Sequence, residues 1–343
     1  MNARARFVAV VVACALVLGG AVSYGALAFA AYRHAQEGPS DVAAQHAADA
    51  SSGASAPRIV FRDTAPGQDY GHVASVPLTD PRATRTVTPL VCDRVYATER
   101  YESCLQTVPG VVTTYSATVF DESGDVVKKW GLPGLPSRTR ISHDDALVAF
   151  TSFVTGAAYA TVGFSTATDV YSLATGHDYG NIEQFTLRID GKINTAADRN
   201  IWGITFVPGD DDAFFATAAT GGHTYLVRGS LAQRTLTEVH ETAECPSVSP
   251  DGTRVAFKVN ISKTGTAFWN VAVMDLATGQ ITMMPDKRDM DDQVEWLDDS
   301  TILYGLPHAG TPGDYDVWET AADGSGSPSL LIEHAWSPAV ITQ

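Results

Sequence analysis

The sequence lacks the short motifs that mark many enzyme families. It contains no G-x-S-x-G nucleophile elbow, no H-E-x-x-H zinc motif, no P-loop and no G-x-G-x-x-G loop. Each of these motifs places a nucleophile, a set of metal ligands or a phosphate-binding backbone in a fixed local geometry. Their absence argues against the reactions that they support, and we expect no catalytic residue.

Basic residues are also scarce. The 343 residues include 23 Lys and Arg against 39 Asp and Glu, which gives a formal net charge of −16 at pH 7. Such a surface repels the phosphates of nucleic acid and of anionic lipid, so nucleic-acid binding is not expected. It attracts cations or a basic partner, although ordinary solubility explains the same composition.

The amino terminus carries a long apolar run. Arg4 and Arg6 precede residues 7–31, which contain no charged side chain. This run exceeds the roughly 20 residues that cross a bilayer, and the arginines place its first end in the cytoplasm. We expect residues 1–33 to be an uncleaved signal-anchor helix, with a signal peptide cleaved near Ala30 as the alternative. Either way the rest of the chain is exported, as a single-pass membrane protein with an extracellular carboxyl-terminal domain or, alternatively, as a secreted protein.

Residues 34–56 have a different composition. They are poor in large apolar side chains, rich in Ala, Ser, Gly, His and Gln, and show no strand pattern. A segment of this kind cannot bury a core of its own. We interpret it as a flexible stalk between the membrane and the domain that begins at residue 57.

Cysteine is scarce too, with four residues in the chain. No C-x-x-C pair is present and no histidine stands at zinc-ligand spacing, so a zinc site is not expected. Cys14 has too few apolar residues before it for a lipidation signal. Cys92 and Cys104 would oxidise outside the cell, and we predict a disulfide between them across a hairpin or loop. Cys245 is left over and is expected to be a free cysteine in an apolar strand.

The clearest structural pattern lies at residues 244–284, which read as four antiparallel strands. Residues 249–252 form a tight turn of Ser, Pro, Asp and Gly after a short apolar strand. Val255 and Phe257 then face one way and Lys258 the other, which is the period of a strand. Two further strands and a turn complete the unit. Four strands cannot bury both faces alone, so the unit implies copies of itself.

Copies of that unit recur along the chain. The strand that we take as second in each unit recurs at residues 58–61, 94–97, 147–150, 213–216, 254–257 and 301–304. Six units predict an all-β, six-bladed β-propeller of four-stranded antiparallel blades over residues 57–343. A β-sandwich with turns at similar intervals is the alternative. Residues 334–343 resemble the start of a blade, and we expect them to supply the strand that the first blade lacks.

Parts of the sequence resemble a known repeat. SPDGTRVAF at residues 249–257, followed by VAVMDLATG at 271–279, resembles the TolB-like propeller repeat, a relative of the WD-repeat blade. A wider resemblance, to actinobacterial membrane-anchored proteins described as TolB-like, is carried by residues 92–96, 220–229, 244–252 and 291–297. The resemblance covers about residues 57–343 and implies the propeller fold. It implies little about activity, because one propeller scaffold hosts many functions.

Two groups of aspartates stand out as candidate sites. One crowds the expected connection from the fifth blade to the sixth, at Asp286, Asp289, Asp291 and Asp292. The other is the turn at residues 210–212. Loop carboxylates bind calcium through their oxygens, and blade connections line the face and channel of a propeller. Solvated turns use aspartate as well, and no EF-hand spacing is present, so we assign no metal ligand or cofactor and keep calcium as a hypothesis.

The third blade is expected to be the longest, running from residue 138 to about 189 after a second blade that starts near residue 84. It carries an extra segment at residues 155–168. Tyr159, Phe164 and Tyr171 would line a pocket there, since loops beyond normal length often bind ligands. One over-long hairpin packed on itself is the alternative.

Together these patterns favour a binding protein. We expect a non-catalytic module, monomeric and held by its amino-terminal helix, that binds an envelope protein or a ligand on a propeller face. The alternative is a propeller enzyme of the hydrolase or lyase type that uses an acidic, calcium-binding channel. A structural module that is inert alone is a third reading. The sequence identifies neither the partner nor the face.

Overall fold

The computed structural model describes residues 38–40, 42–47, 56–154 and 165–342. These residues form β-strands joined by turns and by a 3-10 helix, Ile182–Gln184. In the part of the chain so described, no helix is long and apolar enough to cross a bilayer. The expected signal-anchor helix at residues 1–33, and the candidate pocket residues Tyr159 and Phe164, lie outside the described residues.

The chain divides into two compact units. Among the described residues, the smaller contains 38–40, 42 and 65–70, and the larger contains the others. Within the smaller unit, the amide of Gln68 donates to the carbonyl of Gly38 at 2.8 Å, and the amide of Tyr70 donates to the carbonyl of Gly67 at 3.2 Å.

The larger unit is a six-bladed β-propeller. The strands of blades 1 to 3 are β1 (Ala44–His46), β2 (Arg58–Asp63), β3 (His72–Pro77), β4 (Arg85–Val91) and β27 (Ala335–Ile341) in blade 1, β5 (Arg94–Ala97), β6 (Tyr101–Val108), β7 (Thr114–Asp121) and β8 (Val126–Leu132) in blade 2, and β9 (Leu135–Ile141), β10 (Leu147–Phe153), β11 (Thr166–Ser172) and β12 (Asp178–Asn181) in blade 3.

Blades 4 to 6 follow in chain order. Their strands are β13 (Thr186–Ile189), β14 (Lys192–Asn194), β15 (Asn200–Val207), β16 (Asp210–Thr220), β17 (His223–Ser230) and β18 (Thr235–Glu241) in blade 4, β19 (Glu244–Val248), β20 (Arg254–Asn260), β21 (Trp269–Asp275) and β22 (Ile281–Met283) in blade 5, and β23 (Glu295–Asp298), β24 (Thr301–Pro307), β25 (Tyr315–Ala321) and β26 (Ser329–Ile332) in blade 6. The innermost strands β27, β5, β9, β15, β19 and β23 contact one another around a central channel.

The carboxyl-terminal strand closes the ring. β27 pairs antiparallel with β2, with Arg58 opposite Ile341 and Asp63 opposite Ala335. It is the innermost strand of blade 1, whose other main strands come from the opposite end of the sequence. The prediction that residues 334–343 complete the first blade is therefore confirmed.

The apolar core lies between neighbouring blades. Phe215 and Leu226 of blade 4 pack against Val255 and Phe257 of blade 5, and all four side chains are buried. Because each blade is covered on both faces, a middle strand such as β20 is buried on both sides. Even Lys258, which alternation assigns to the polar side of that strand, is fully buried.

Two short additions extend the blades beyond four strands. β1 runs parallel to β4, with Ala44 opposite Arg85, although no strand was expected in residues 34–56. An exposed sheet edge offers backbone hydrogen bonds to any extended segment, so this pairing needs no apolar pattern. β13 likewise runs parallel to β18, with Thr186 opposite Thr235.

Two predicted blade boundaries are wrong. The strand after residue 84 is β4, the outer strand of blade 1, and blade 2 begins at β5; residues 94–97 are thus an innermost strand and not a second one. Blade 3 ends with β12, and residues 186–189 belong to blade 4 as β13. Alternation identifies a strand but not its place within a blade, and neither boundary carries the turn that marks the clearer repeats.

The three cysteines among the described residues adopt the predicted states. Cys92, in the connection between β4 and β5, forms a disulfide with Cys104 of β6, with Cα atoms 5.5 Å apart. The disulfide therefore joins the entrance of blade 2 to its second strand. Cys245 of β19 is free and buried.

Candidate functional site

A cavity opens at one end of the central channel. Antiparallel blades place the turns between first and second strands at one end of the channel and the connections between blades at the other. The cavity has a volume of about 370 Å³ and is lined by those turns in blades 2 to 6, through Thr98, His143, Pro208, Pro250 and Asp299. We call this cavity the channel mouth.

Acidic side chains predominate among the charged residues that line the channel mouth. Glu99, Asp145, Asp298 and Asp299 all line it. Glu99, Asp298 and Asp299 are exposed, so their charges face water and any incoming ligand. Polar residues such as aspartate are common in turns. The ring of blades then brings the turns of different blades together around one opening.

A buried ion pair lies at the inner side of the channel mouth. Arg140 of β9 donates through one terminal nitrogen to Glu295 of β23, and through the other to the carbonyl of Val294 at 2.7 Å. The guanidinium also lies over the ring of Tyr96, 4.5 Å from its centroid. Burial raises the pKa of the Glu295 carboxyl, and Arg140 opposes that rise. Burial raises the pKa of the Tyr96 hydroxyl as well.

A second ion pair lies deeper in the channel. Arg94 of β5 donates to Asp292 at 3.0 Å, and both side chains are buried. The Arg94 guanidinium lies 3.5 Å from the centroid of the Trp336 ring, which is stacked on Tyr315 with centroids 4.6 Å apart. Arg94 thus connects blade 2 to the connection before blade 6 and to the closing strand. A small cavity of about 20 Å³ adjoins this pair.

A third charged group lies beside blade 5. Lys258, fully buried, donates to Asp291 and lies 4.5 Å from the centroid of the Trp269 ring. Burial raises the pKa of the Asp291 carboxyl, but Lys258, Arg138 and Arg94 together lower it by more, so the net shift is downward. Burial raises the pKa of the neighbouring Glu244 carboxyl to about 7, although Lys258 acts in the opposite direction.

The four predicted calcium candidates have separate partners. Asp286 pairs with Arg288 and accepts from the Tyr304 hydroxyl at 2.8 Å. Asp289 accepts from the backbone amide of Trp269 at 2.7 Å, while Asp291 and Asp292 pair with the basic side chains described above. Within the described residues these carboxylates do not form a group of three metal ligands. Calcium binding stays a prediction.

The aspartates at 210–212 stabilise their own turn. Asp210 accepts from the backbone amides of Asp212 and Ala213. Asp212 accepts from the Ser230 hydroxyl at 2.6 Å. A hydrogen bond with Asp144 of the neighbouring blade raises the pKa of Asp211 to about 6.

A cluster of two histidines and two aspartates lies at the opposite end of the channel from the mouth, in blade 6. His308 follows β24, Asp314 and Asp316 lie at the start of β25, and His334 precedes β27. Nδ1 of His308 lies 3.0 Å from each carboxylate oxygen of Asp316. Nδ1 of His334 lies 2.7 Å from Asp314. The two imidazole rings approach with centroids 4.5 Å apart.

Sequence reasoning missed both the channel charges and this cluster. A signal for the channel existed at two positions, since Arg94 and Glu295 each begin a short strand next to apolar residues, where a buried charge needs a partner. The cluster had no comparable signal. Its side chains come from one hairpin and from a separate connection, at spacings that match no metal motif.

The comparisons with known proteins identify no family. No protein-family model matches this chain, and no curated protein sequence matches it. Solved structures that are similar include the β-propeller domain of the Trilobed protease from Pyrococcus furiosus, at 12% identity and a TM-score of 0.40, covering 70% of this chain and 84% of that one. The tricorn protease is similar at 8% identity and a TM-score of 0.47, covering 88% of this chain and 35% of that one.

An ACO/RPE65 chimera is a third similar structure. It has 10% identity and a TM-score of 0.42, and the match covers 80% of this chain and 71% of that one. Likeness at this level transfers no activity, ligand or site residue to this chain. The functional argument therefore rests on the residues of the propeller itself.

Proposed function

We propose that this chain is an exported, membrane-anchored propeller of the TolB-like type that binds a basic partner protein or ligand at its channel mouth. The observation that carries the proposal is the cavity of about 370 Å³, which is of the size of ligand pockets, roughly 300–1,000 Å³. Loops supported by a rigid scaffold are the usual place for binding residues. The channel mouth is formed by such turns from five blades.

The charge of the channel mouth indicates the chemistry of the partner. Arg140 and Glu295 neutralise each other at its inner side, so the exposed carboxylates of Glu99, Asp298 and Asp299 leave a negative opening. The formal charge of the whole chain, −16, has the same sign. A ligand or protein loop with lysine, arginine or an amine fits this opening, and long-range attraction would speed its approach.

The alternative, an enzyme with an acidic cation-binding channel, has less support from the channel charges. Asp291 and Asp292 are paired with Lys258 and Arg94, and Glu295 is paired with Arg140. A calcium ion bound to these carboxylates would have to displace a buried basic side chain. Leaving that basic group unpaired in the interior costs several kcal/mol.

Attachment to the membrane and a monomeric state are further parts of the proposal. The apolar run at residues 7–31 supports the anchor, and the alternative is a secreted protein. Membrane fractionation before and after an alkaline wash tests the anchor. Sedimentation of the detergent-solubilised chain tests the monomer.

Capture of a partner from envelope membranes tests the binding function. The tagged full chain would be cross-linked in membranes, with and without calcium, as wild type, Glu99→Lys and Glu241→Lys. Glu99 lines the channel mouth, whereas Glu241 is an exposed glutamate at the end of β18, on the opposite side of the ring. The two variants make the same charge change in different places.

We expect wild type and Glu241→Lys to capture a stoichiometric partner, and Glu99→Lys to bind it at least about tenfold more weakly, since reversal places like charges together. Equal capture by all three forms would move the interface away from the channel mouth. Capture by none, from folded protein, would contradict a protein partner and direct the search to basic small molecules, measured by thermal shift with the same three forms.

A further inference from the structure

The histidines and aspartates of blade 6 have the spacing of metal ligands. His308, Asp316 and His334 each offer a ligand atom, and these atoms lie within 4.8 Å of one another. His308 Nδ1 is 3.0 Å from both oxygens of Asp316. Two ligand atoms of a tetrahedral zinc ion, each about 2.1 Å from it, would lie about 3.4 Å apart, so an ion requires this pair to separate by only a few tenths of an ångström.

A second carboxylate orients one of the histidines. Asp314 Oδ2 lies 2.7 Å from Nδ1 of His334, and its other oxygen accepts from the Thr64 hydroxyl at 2.8 Å. A neutral His334 that donates through Nδ1 keeps the lone pair of Nε2 for a metal. Carboxylates that hold the second nitrogen of a histidine ligand in this way are typical of metal sites.

The local charge favours a dication. The side chains of Asp314 and Asp316 are 1% and 10% exposed, and buried carboxylates require compensation. Arg85 is close but already pairs with Asp63, and it also donates to the backbone carbonyls of residues 333 and 334. The carboxylates of Asp314 and Asp316 together would balance the charge of one divalent ion.

We infer that His308, Asp316 and His334 bind one divalent ion of the zinc class, with Asp314 as the group that positions His334. Imidazole ligands select zinc and neighbouring transition metals over calcium, which prefers an all-oxygen shell. The site goes beyond the proposed binding function and lies away from the channel mouth. Since His334 directly precedes β27, the ion would join the β24–β25 hairpin to the start of the strand that closes the ring.

Zinc titration of the full chain tests the site. The chain, purified in detergent and stripped of metal, would be dialysed against Zn²⁺ as wild type, His308→Ala, His334→Ala and His223→Ala. His223 is the control, because it also lies 2.7 Å from a carboxylate, that of Glu241, but joins no group of three ligands among the described residues. Wild type and His223→Ala should retain one zinc per chain, and the other two variants should lose it.

A measurement on wild type keeps the inference testable if a variant fails to fold. Zinc K-edge absorption of the chain with one equivalent of Zn²⁺ should show two imidazole ligands.

Asp314→Asn should weaken zinc binding by about 10- to 100-fold, as loss of a supporting carboxylate does elsewhere. No stoichiometric zinc in wild type, fewer than two imidazoles, or full retention in both His308→Ala and His334→Ala would overturn the site.

Discussion

Removal of the closing strand should destabilise the propeller severely. Deletion of residues 334–343 removes all of β27, whereas deletion of residues 342–343 leaves that strand intact. Without β27 the inner edge of β2 has no partner. Comparing the two deletions therefore distinguishes the effect of losing the β2–β27 pairing from the effect of merely shortening the chain.

The magnitude follows from what β27 covers. Ile341 of that strand is 3% exposed, and Ile59 and Phe61 on β2 are fully buried. Losing or uncovering large apolar side chains costs roughly 1.5–3 kcal/mol each, before the unpaired backbone is considered. A total of about 6 kcal/mol is comparable to the whole stability of many domains, about 5–15 kcal/mol.

Thermal unfolding of the two truncated chains measures this effect. A loss of that size should lower Tm by more than about 10 °C, at roughly 2–4 °C per kcal/mol for a domain of this size. The shorter deletion should shift Tm by no more than a degree or two. If both deletions leave Tm near that of wild type, closure by β27 does not stabilise the ring and the reasoning is refuted.

Two other predictions concern the channel. A Cβ atom at Gly305 would lie 2.7 Å from side-chain atoms of Asp292 and Trp336, so Gly305→Ala should lower the free energy of unfolding in urea by about 1–3 kcal/mol. Gly131→Ala is the control, because no atom lies within 4 Å of a Cβ at that position. Equal effects of the two substitutions would contradict the close packing at Gly305. Burial raises the pKa of the Glu244 carboxyl to about 7 in the folded protein. The stability that its protonated form contributes is therefore complete below the pKa of the unfolded chain, about 4.3, and is lost as the pH rises through the pKa of the folded state. Relative to Glu244→Gln, wild type should lose up to roughly 3 kcal/mol between about pH 4 and pH 8, and parallel pH profiles would contradict the shift.

Much of the fold could be predicted because similar turn residues recur before the second strand of several blades. In the fifth blade, the turn predicted at residues 249–252 is present and is followed by the predicted strand, β20. The last strand was predictable for a related reason, since a ring of blades leaves no acceptable open edge. The boundary near residue 84 was not, because β4 and β5 lie close in sequence and both alternate.

The candidate site was less predictable because its parts meet only in three dimensions. Arg140 and Glu295 lie in different blades, far apart in sequence, and nothing local relates them. The same holds for His308 and His334, which belong to a hairpin and to a connection between blades. The aspartates of residues 286–292 were conspicuous in sequence, yet each has a different partner in the fold.

The position of β27 has a consequence for the order in which the protein can be made. Blade 1 contains β2 to β4, which precede the strands of every other blade, and β27, which follows all of them. Blades 2 to 6 can form their own sheets as they emerge from the ribosome, but β2 must wait, with one edge exposed, until β27 has been made. A chain that terminates early is thus left with an unfinished first blade, however complete the others are, and that open edge distinguishes it from the finished protein for any protease that removes incomplete chains.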